Sequence, residues 1–193
     1  MVGGDLTSGS IAITISVYGC LPAGEALLRS GAEVGDLVLV SGTLGDAAAG
    51  LAILENKWES EDADRDNLIQ KFLRPRPRFD LGIDLLGIAN SAIDISDGLI
   101  ADAGHIASES DLAIEIDAGK IPLSPALSKL DFNKALEWAL TGGDDYELCF
   151  TISKERSVPP GCTPIGSTST GAGISCAGYD ISSLVRGGYK HFS

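Results

Sequence analysis

The chain has 193 residues, 44% of them hydrophobic, with 24 glycines and a formal net charge of −13. This suits one ordinary globular domain and at most a piece of a second. Fourteen basic residues against 27 acidic ones argue against nucleic acid as a partner, and no apolar run approaches the roughly 20 residues that cross a bilayer.

The opening "MVGGDLTSG" has neither the basic flank nor the apolar core of a signal peptide. The expectation is a cytoplasmic protein with no membrane partner. Cys20, Cys149, Cys162 and Cys176 form no C-x-x-C pair, and the only histidines are His105 and His191. That pattern fits reduced thiols rather than a zinc site. An acidic protein that handles anionic phosphates needs divalent cations between the two sets of charge. Magnesium suits that role because it takes carboxylate, phosphate and water oxygens.

In chain order, "SIAITISVYG" (Ser10–Gly19) alternates Ile11, Ile13, Ile15 and Val17 with smaller or polar residues, the period of a strand. Residues 21–35 read as a connector with a short helical turn at Gly24–Arg29. "DLVLVSG" (Asp36–Gly42) predicts a strand and Leu44–Asn56 a helix. Two further helices are expected at Asp64–Leu73 and Phe79–Ile88, separated by "RPRPR" (Arg74–Arg78), where two prolines must break the chain. Then come strand Ser91–Ile95, helix Leu99–Ser110, strand Leu112–Asp117, helix Phe132–Leu140 and strand Tyr146–Ser153. Short strands at Thr163–Ser167 and Gly173–Gly178 complete the list. The order predicts an α+β, layered α/β domain over residues 36–193. Residues 1–20 read as the last strand of another domain, most of which lies outside this chain.

Two acidic motifs stand out. In "AIDISDGLIADAGH" (Ala92–His105), strand period 2 places Ile93 and Ile95 toward the core and Asp94 with Ser96 on the opposite face. Asp97 then sits at the turn into the next helix, and such strand ends are common ligand positions in α/β sheets. Helix capping by Ser96 or Asp97 and metal binding by Asp94 and Asp97 both remain open on pattern alone. In "LTGGDDYELCF" (Leu140–Phe150) a helix ends on a Gly-Gly pair, followed by an acidic turn and a strand. "VGGDLTSG" (Val2–Gly9) and "GTLGDAAAG" (Gly42–Gly50) are turns whose amides could cradle an anion. Neither is a Walker A loop, since no Gly-Lys-Ser/Thr occurs. Arg29 either reaches a phosphate or is solvated, "RPRPR" reads as a rigid turn, and His105 lies on a polar helix face.

Together, "VGGDLTSG", "ALLRSGAEVGDLVLVSGTLGDAAAGLAIL", "RPRPR", "AIDISDGLIADAGHIA", "GGDDYELCF" and "GGYKHF" resemble, in that order, the thiamine-monophosphate kinase family. That family shares a superfamily with aminoimidazole ribonucleotide synthetase and selenophosphate synthetase. The resemblance implies the C-terminal domain of the aminoimidazole ribonucleotide synthetase-like fold, a mixed sheet with packed helices. It also implies magnesium-dependent, direct transfer of the ATP γ-phosphoryl group to thiamine monophosphate, giving thiamine diphosphate, by a homodimer.

Carried over by position, Asp5 resembles a magnesium ligand at the nucleotide with Gly4 beside it, and Arg29 and Ser96 resemble ATP contacts. Asp94 and Asp97 resemble magnesium ligands. Asp144 stands where the family more often has a glutamate against the thiamine substrate, and Tyr189 resembles an aromatic residue of the substrate site. Two departures accompany this. Most of the family's N-terminal ATP-binding domain is missing, so the chain alone is expected to be inactive and to self-associate through residues 10–19. The segment "KERSVPPGC" (Lys154–Cys162) is too short for the family's usual helix. The competing readings are a non-catalytic phosphate- or metal-binding module and a sibling ATP-dependent synthetase.

Overall fold

The computed structural model describes Gly9, Ile11 and residues 13–60 and 62–182. Six strands form one mixed sheet: β1 (Leu37–Ser41), β2 (Ser91–Asp94), β3 (Ala113–Asp117), β4 (Leu148–Ile152), β5 (Cys162–Ser169) and β6 (Gly173–Ala177). Their order is β2-β4-β1-β5-β3-β6, antiparallel throughout except for the parallel β3–β6 pair. The helices are α1 (Asp46–Leu54), α2 (Asp62–Leu73), α3 (Phe79–Asp84), α4 (Leu99–Glu109) and α5 (Phe132–Thr141). The expected α+β domain is therefore present, and no helix fills the short loop between β4 and β5.

Strand alternation divides the core into layers. Val38 and Val40 of β1 join Ile93, Ile114, Ile116 and Cys149 on one face, packed against Leu99 and Ile106 of α4 and Leu136 and Leu140 of α5. Leu39, Phe150 and Ile152 point to the other face and bury Leu85, just past α3. With both faces covered, β1 is a continuous apolar run, as a central strand must be. A third cluster joins α1, α2 and α5 through Ala49, Ile53, Leu68 and Ala135. Trp58 and Trp138 meet edge to face beside it, with ring centroids 5.3 Å apart.

Two sequence expectations are corrected. The strand at residues 10–19 is not formed among the described residues of that stretch. Ile11, Ile13, Ile15 and Val17 are 80–96% exposed, because no neighbouring strand offers them the hydrogen bonds that hold an extended chain. The helical turn at Gly24–Arg29 is only a bend after Pro22, closed by Glu25 N–H donating to the Pro22 carbonyl (3.2 Å). Beyond it the chain runs extended against the edge of the sheet, where the Leu28 carbonyl accepts from Ala92 N–H (2.8 Å). Helix α1 starts two residues later and ends two residues earlier than expected, and tight turns cut back two further elements. Helix α3 stops at Asp84 ahead of Gly87, whose φ is +70°. Strand β4 starts at Leu148 because Tyr146 has φ +50°.

Gly50 sits inside α1 where α2 crosses. A Cβ there would lie 2.2 Å from the Leu68 carbonyl oxygen, so the two backbones are in contact only because the residue is glycine. At an open helix position Gly→Ala gains about 1 kcal/mol. Here Gly50→Ala is expected to destabilise by about 1–3 kcal/mol through overpacking. Urea unfolding checks the sign, and a gain in stability would contradict the α1–α2 contact.

Candidate active site

The site is built where the end of β2 meets the segment leading into β4. Ile95 N–H donates to the Glu147 carbonyl (2.8 Å), Tyr146 N–H to the Ile95 carbonyl (2.9 Å) and Asp144 N–H to the Ser96 carbonyl (3.0 Å). These bonds continue the β2–β4 ladder past the ends of both strands. They need glycines at one point: a Cβ on Gly143 would lie 2.3 Å from the Ser96 carbonyl oxygen. One on Gly142 would lie 2.4 Å from the Trp138 carbonyl oxygen. Gly98, at φ +104°, packs equally tightly on the end of α5, with a Cβ only 2.8 Å from the Thr141 carbonyl carbon.

This juxtaposition brings Ser96, Asp97, Asp144 and Tyr146 onto one cavity of about 780 Å³, walled on the other side by Phe72 and Trp138. Asp94 faces an adjoining apolar cleft that Tyr146 also lines. The Tyr146 hydroxyl donates to Asp144 Oδ1 (3.3 Å). Its phenol is held above the ordinary range by burial first and then by the negative charges of Asp144, Asp94 and Asp97. Asp94 and Asp97 are exposed and Asp144 is half-buried, so their oxygens are open to a ligand. Arg29 is exposed and does not line this cavity. Gly4, Asp5 and Tyr189 lie outside the described residues.

Neither Ser96 nor Asp97 caps the helix that follows. The N-cap of α4 is Gly98, with no side-chain cap bond. The acid that holds the turn ahead of the helix is Asp102, which sequence reasoning missed. Its Oδ2 accepts from the backbone N–H of Ser96 (2.9 Å) and of Asp97 (3.0 Å). It is 2% exposed, and burial raises its carboxyl against the lowering effect of those two bonds. The signal was an aspartate inside the first turn of an otherwise apolar helix face. By turning both amides inward, Asp102 leaves the Ser96 and Asp97 side chains free to face the cavity.

The acidic turn Asp144–Glu147 divides in the same manner. Asp145 points away from the cavity of Asp144 and accepts from Gly45 N–H (2.7 Å) and Ala47 N–H (3.2 Å), filling the start of α1, whose own N-cap has no side-chain bond. Glu147, 3% exposed, takes a two-pronged contact from Arg78, with Nε at 2.6 Å, and a hydrogen bond from the Ser41 hydroxyl. The last arginine of "RPRPR" is thus a structural clamp on the site's strand.

No group of three or more His, Cys, Asp or Glu side chains able to hold a metal forms among the described residues. Asp94 and Asp97 are oxygen donors of the kind a hard divalent cation prefers, so they fit part of a magnesium site and not the whole of one.

Burial pushes Asp145 from 3.8 up to about 7, with the charges of Asp46 and Glu147 adding to the rise and the two amide bonds opposing it. Between those values the folded chain holds a proton that the unfolded chain has released. The stability from this group is complete below about pH 4 and is lost as pH rises through about 7. The stability of the native chain relative to Asp145→Asn is therefore expected to fall between about pH 5 and about pH 7.5. Urea midpoints of both proteins at the two pH values test this, and a constant difference would contradict it.

Residues 33–158 match the family described as AIR synthase related protein, C-terminal domain. The thiamine-monophosphate kinase of Escherichia coli K12 is 53% identical over 154 residues, covering 79% of this chain and 47% of that protein. The thiamine-monophosphate kinase of Salmonella typhimurium LT2 is 43% identical over an alignment of 209 positions, covering 100% of this chain and 63% of that protein. Among solved structures, thiamine-monophosphate kinase from Stenotrophomonas maltophilia K279a superposes with a TM-score of 0.74 at 41% identity, over 80% of this chain and 54% of that one. A structure described as AaThiL complexed with AMPPCP and TMP gives 0.76 at 42% identity, over 86% and 54%. The chain spans between about half and under two thirds of the length of these curated relatives. Fold, motifs and relatives agree: the chain belongs to the AIR synthase related protein family as its C-terminal domain, and the relatives it matches are thiamine-monophosphate kinases.

Proposed function

We propose that this chain supplies the C-terminal half of the active site of a magnesium-dependent thiamine-monophosphate kinase, which transfers the γ-phosphoryl group of ATP to thiamine monophosphate. The observation that carries the reading is the single cavity lined by Ser96, Asp97, Asp144 and Tyr146. It sits in a chain 42% identical to a protein captured with AMPPCP and TMP.

Phosphoryl transfer asks a protein mainly for positioning and charge neutralisation. Bound magnesium would neutralise phosphate charge that a chain with 27 acids and 14 basic residues does not neutralise itself. Asp94 and Asp97 would hold it, with Asp5 and other ligands from the part of the relatives' length that this chain does not span. The Ser96 hydroxyl, on backbone that Asp102 anchors through the Ser96 amide, faces the nucleotide together with Gly4 and Arg29. Asp144 meets the cationic thiamine portion, where its charge and the faces of Tyr146, Trp138 and Tyr189 favour a flat cation. The intact enzyme is a homodimer in this reading. The chain alone is inactive for want of ligands, and it works in the cytoplasm without membrane or nucleic acid. Residues 10–19 pair with another chain when their own sheet is missing, as an unpaired apolar strand does.

Calorimetry of the chain with thiamine monophosphate, beside a turnover assay with ATP and magnesium, tests this. Saturable binding is expected, weakened about tenfold or more in Asp144→Ala, since a hydrogen bond to a charged group is worth about 1.5–3 kcal/mol. Turnover by the chain alone is expected to be absent. Equal binding of aminoimidazole ribonucleotide, or binding untouched by Asp144→Ala, would overturn the substrate assignment. Full turnover would overturn the incomplete ligand set.

A further inference from the structure

We propose that the chain carries a second anion site, in the cavity between α2 and the Arg74–Arg78 loop, that takes a small phosphate-bearing ligand through Lys71, Arg74 and Arg76. This goes beyond the kinase reading and does not rest on it. The cavity holds about 490 Å³, the size of a small-molecule site. Asp94, Asp97 and Asp144 do not line it, so it is separate from the candidate active site, although Ala47 of α1 borders both.

Helix α2 turns a polar face to this cavity. Asn67, Gln70, Lys71 and Arg74 all line it, at the i, i+3, i+4, i+7 spacing of one helix stripe, while Leu68 is buried against α1. The loop adds Arg76 and Arg78. Pro75 and Pro77 each fix one backbone dihedral there, so the arginines stand on stiff chain and lose less freedom on binding a ligand.

Charge accounting separates the cations that are occupied from those that are not. The two carboxylates at the cavity floor already have partners. Glu147 is clamped by Arg78 and Ser41, and Asp145 is held by the α1 amides. Arg78 is therefore committed to structure. Among the described residues, Lys71, Arg74 and Arg76 make no ion pair. In a chain with a net charge of −13, three cations converging on one concave surface with no carboxylate of their own are a receptor for a polyanion. Arginine forks match phosphate oxygens two at a time.

The test is calorimetric titration of the 193-residue chain with inorganic diphosphate, with a chelator present to remove divalent cations. Saturable binding of one diphosphate per chain is expected, weakening as salt rises. The double variant Arg74→Gln/Arg76→Gln is expected to lose affinity about tenfold or more, and Asp94→Asn/Asp97→Asn to bind as the native chain does. The proposal is overturned if the native chain shows no saturable binding, if the double arginine variant binds equally well, or if the double aspartate variant loses binding. Arg74 and Arg76 are exposed, so their variant is expected to keep its urea midpoint. Lys71→Gln, expected to weaken binding as well, gives the same reading if it does not. Because the titration contains neither thiamine monophosphate nor magnesium, its failure leaves the kinase reading where it stands.

Discussion

The site depends on a short backbone ladder that continues the β2–β4 pairing beyond the strands, from Ile95 with Glu147 to Ser96 with Asp144. Gly143 makes it sterically possible, and Gly142 lets the chain leave α5 to reach it. Once the ladder is in place, the side chains of Asp144–Glu147 have no freedom to share one environment. Asp144 and Tyr146 fall on the cavity, Asp145 falls on the start of α1, and Glu147 falls on Arg78. One acidic turn thereby ties together a strand, a helix terminus and the proline-rich loop while still presenting a carboxylate to a ligand.

The acids of this chain serve two purposes that composition cannot distinguish. Asp102, Asp145 and Glu147 satisfy backbone amides or a guanidinium and act as internal counter-groups. Asp94, Asp97 and Asp144 do not, and they gather at the end of β2 beside Ser96. Buried carboxylates are tolerated only when hydrogen-bonded or paired, so the first set can be recognised from its partners alone. The second set remains available for a cation, and it is too small among the described residues to complete one. That agrees with a chain matching about half the length of its Escherichia coli relative.

Much of this was legible in the sequence, because period-2 and helical patterns carry directly into buried faces. Ile93 and Ile95 point inward and Asp94 outward as alternation requires, and every predicted element from residue 36 to residue 178 has a counterpart. What failed was context. Residues 10–19 have strand periodicity, but a strand is a property of a pair, and periodicity cannot supply the neighbour. Pattern alone left helix capping by Ser96 or Asp97 open; neither caps α4, and Asp102 reaches back over a full turn to their amides, a contact that local capping rules do not describe. Nor does spacing reveal that Arg78 meets Glu147 69 residues away; only the crossing of the loop over β4 does.

The most direct measurement of the central ladder is amide hydrogen exchange followed residue by residue by NMR. The N–H groups of Ile95, Ser96, Asp97, Asp144 and Tyr146 all donate to protein acceptors, although all five lie outside any strand or helix. They are expected to exchange far more slowly than the amides of residues 13–20, approaching the core strands. Exchange of these five amides as fast as that of residues 13–20 would contradict the ladder, because the two acidic motifs would then not be held together.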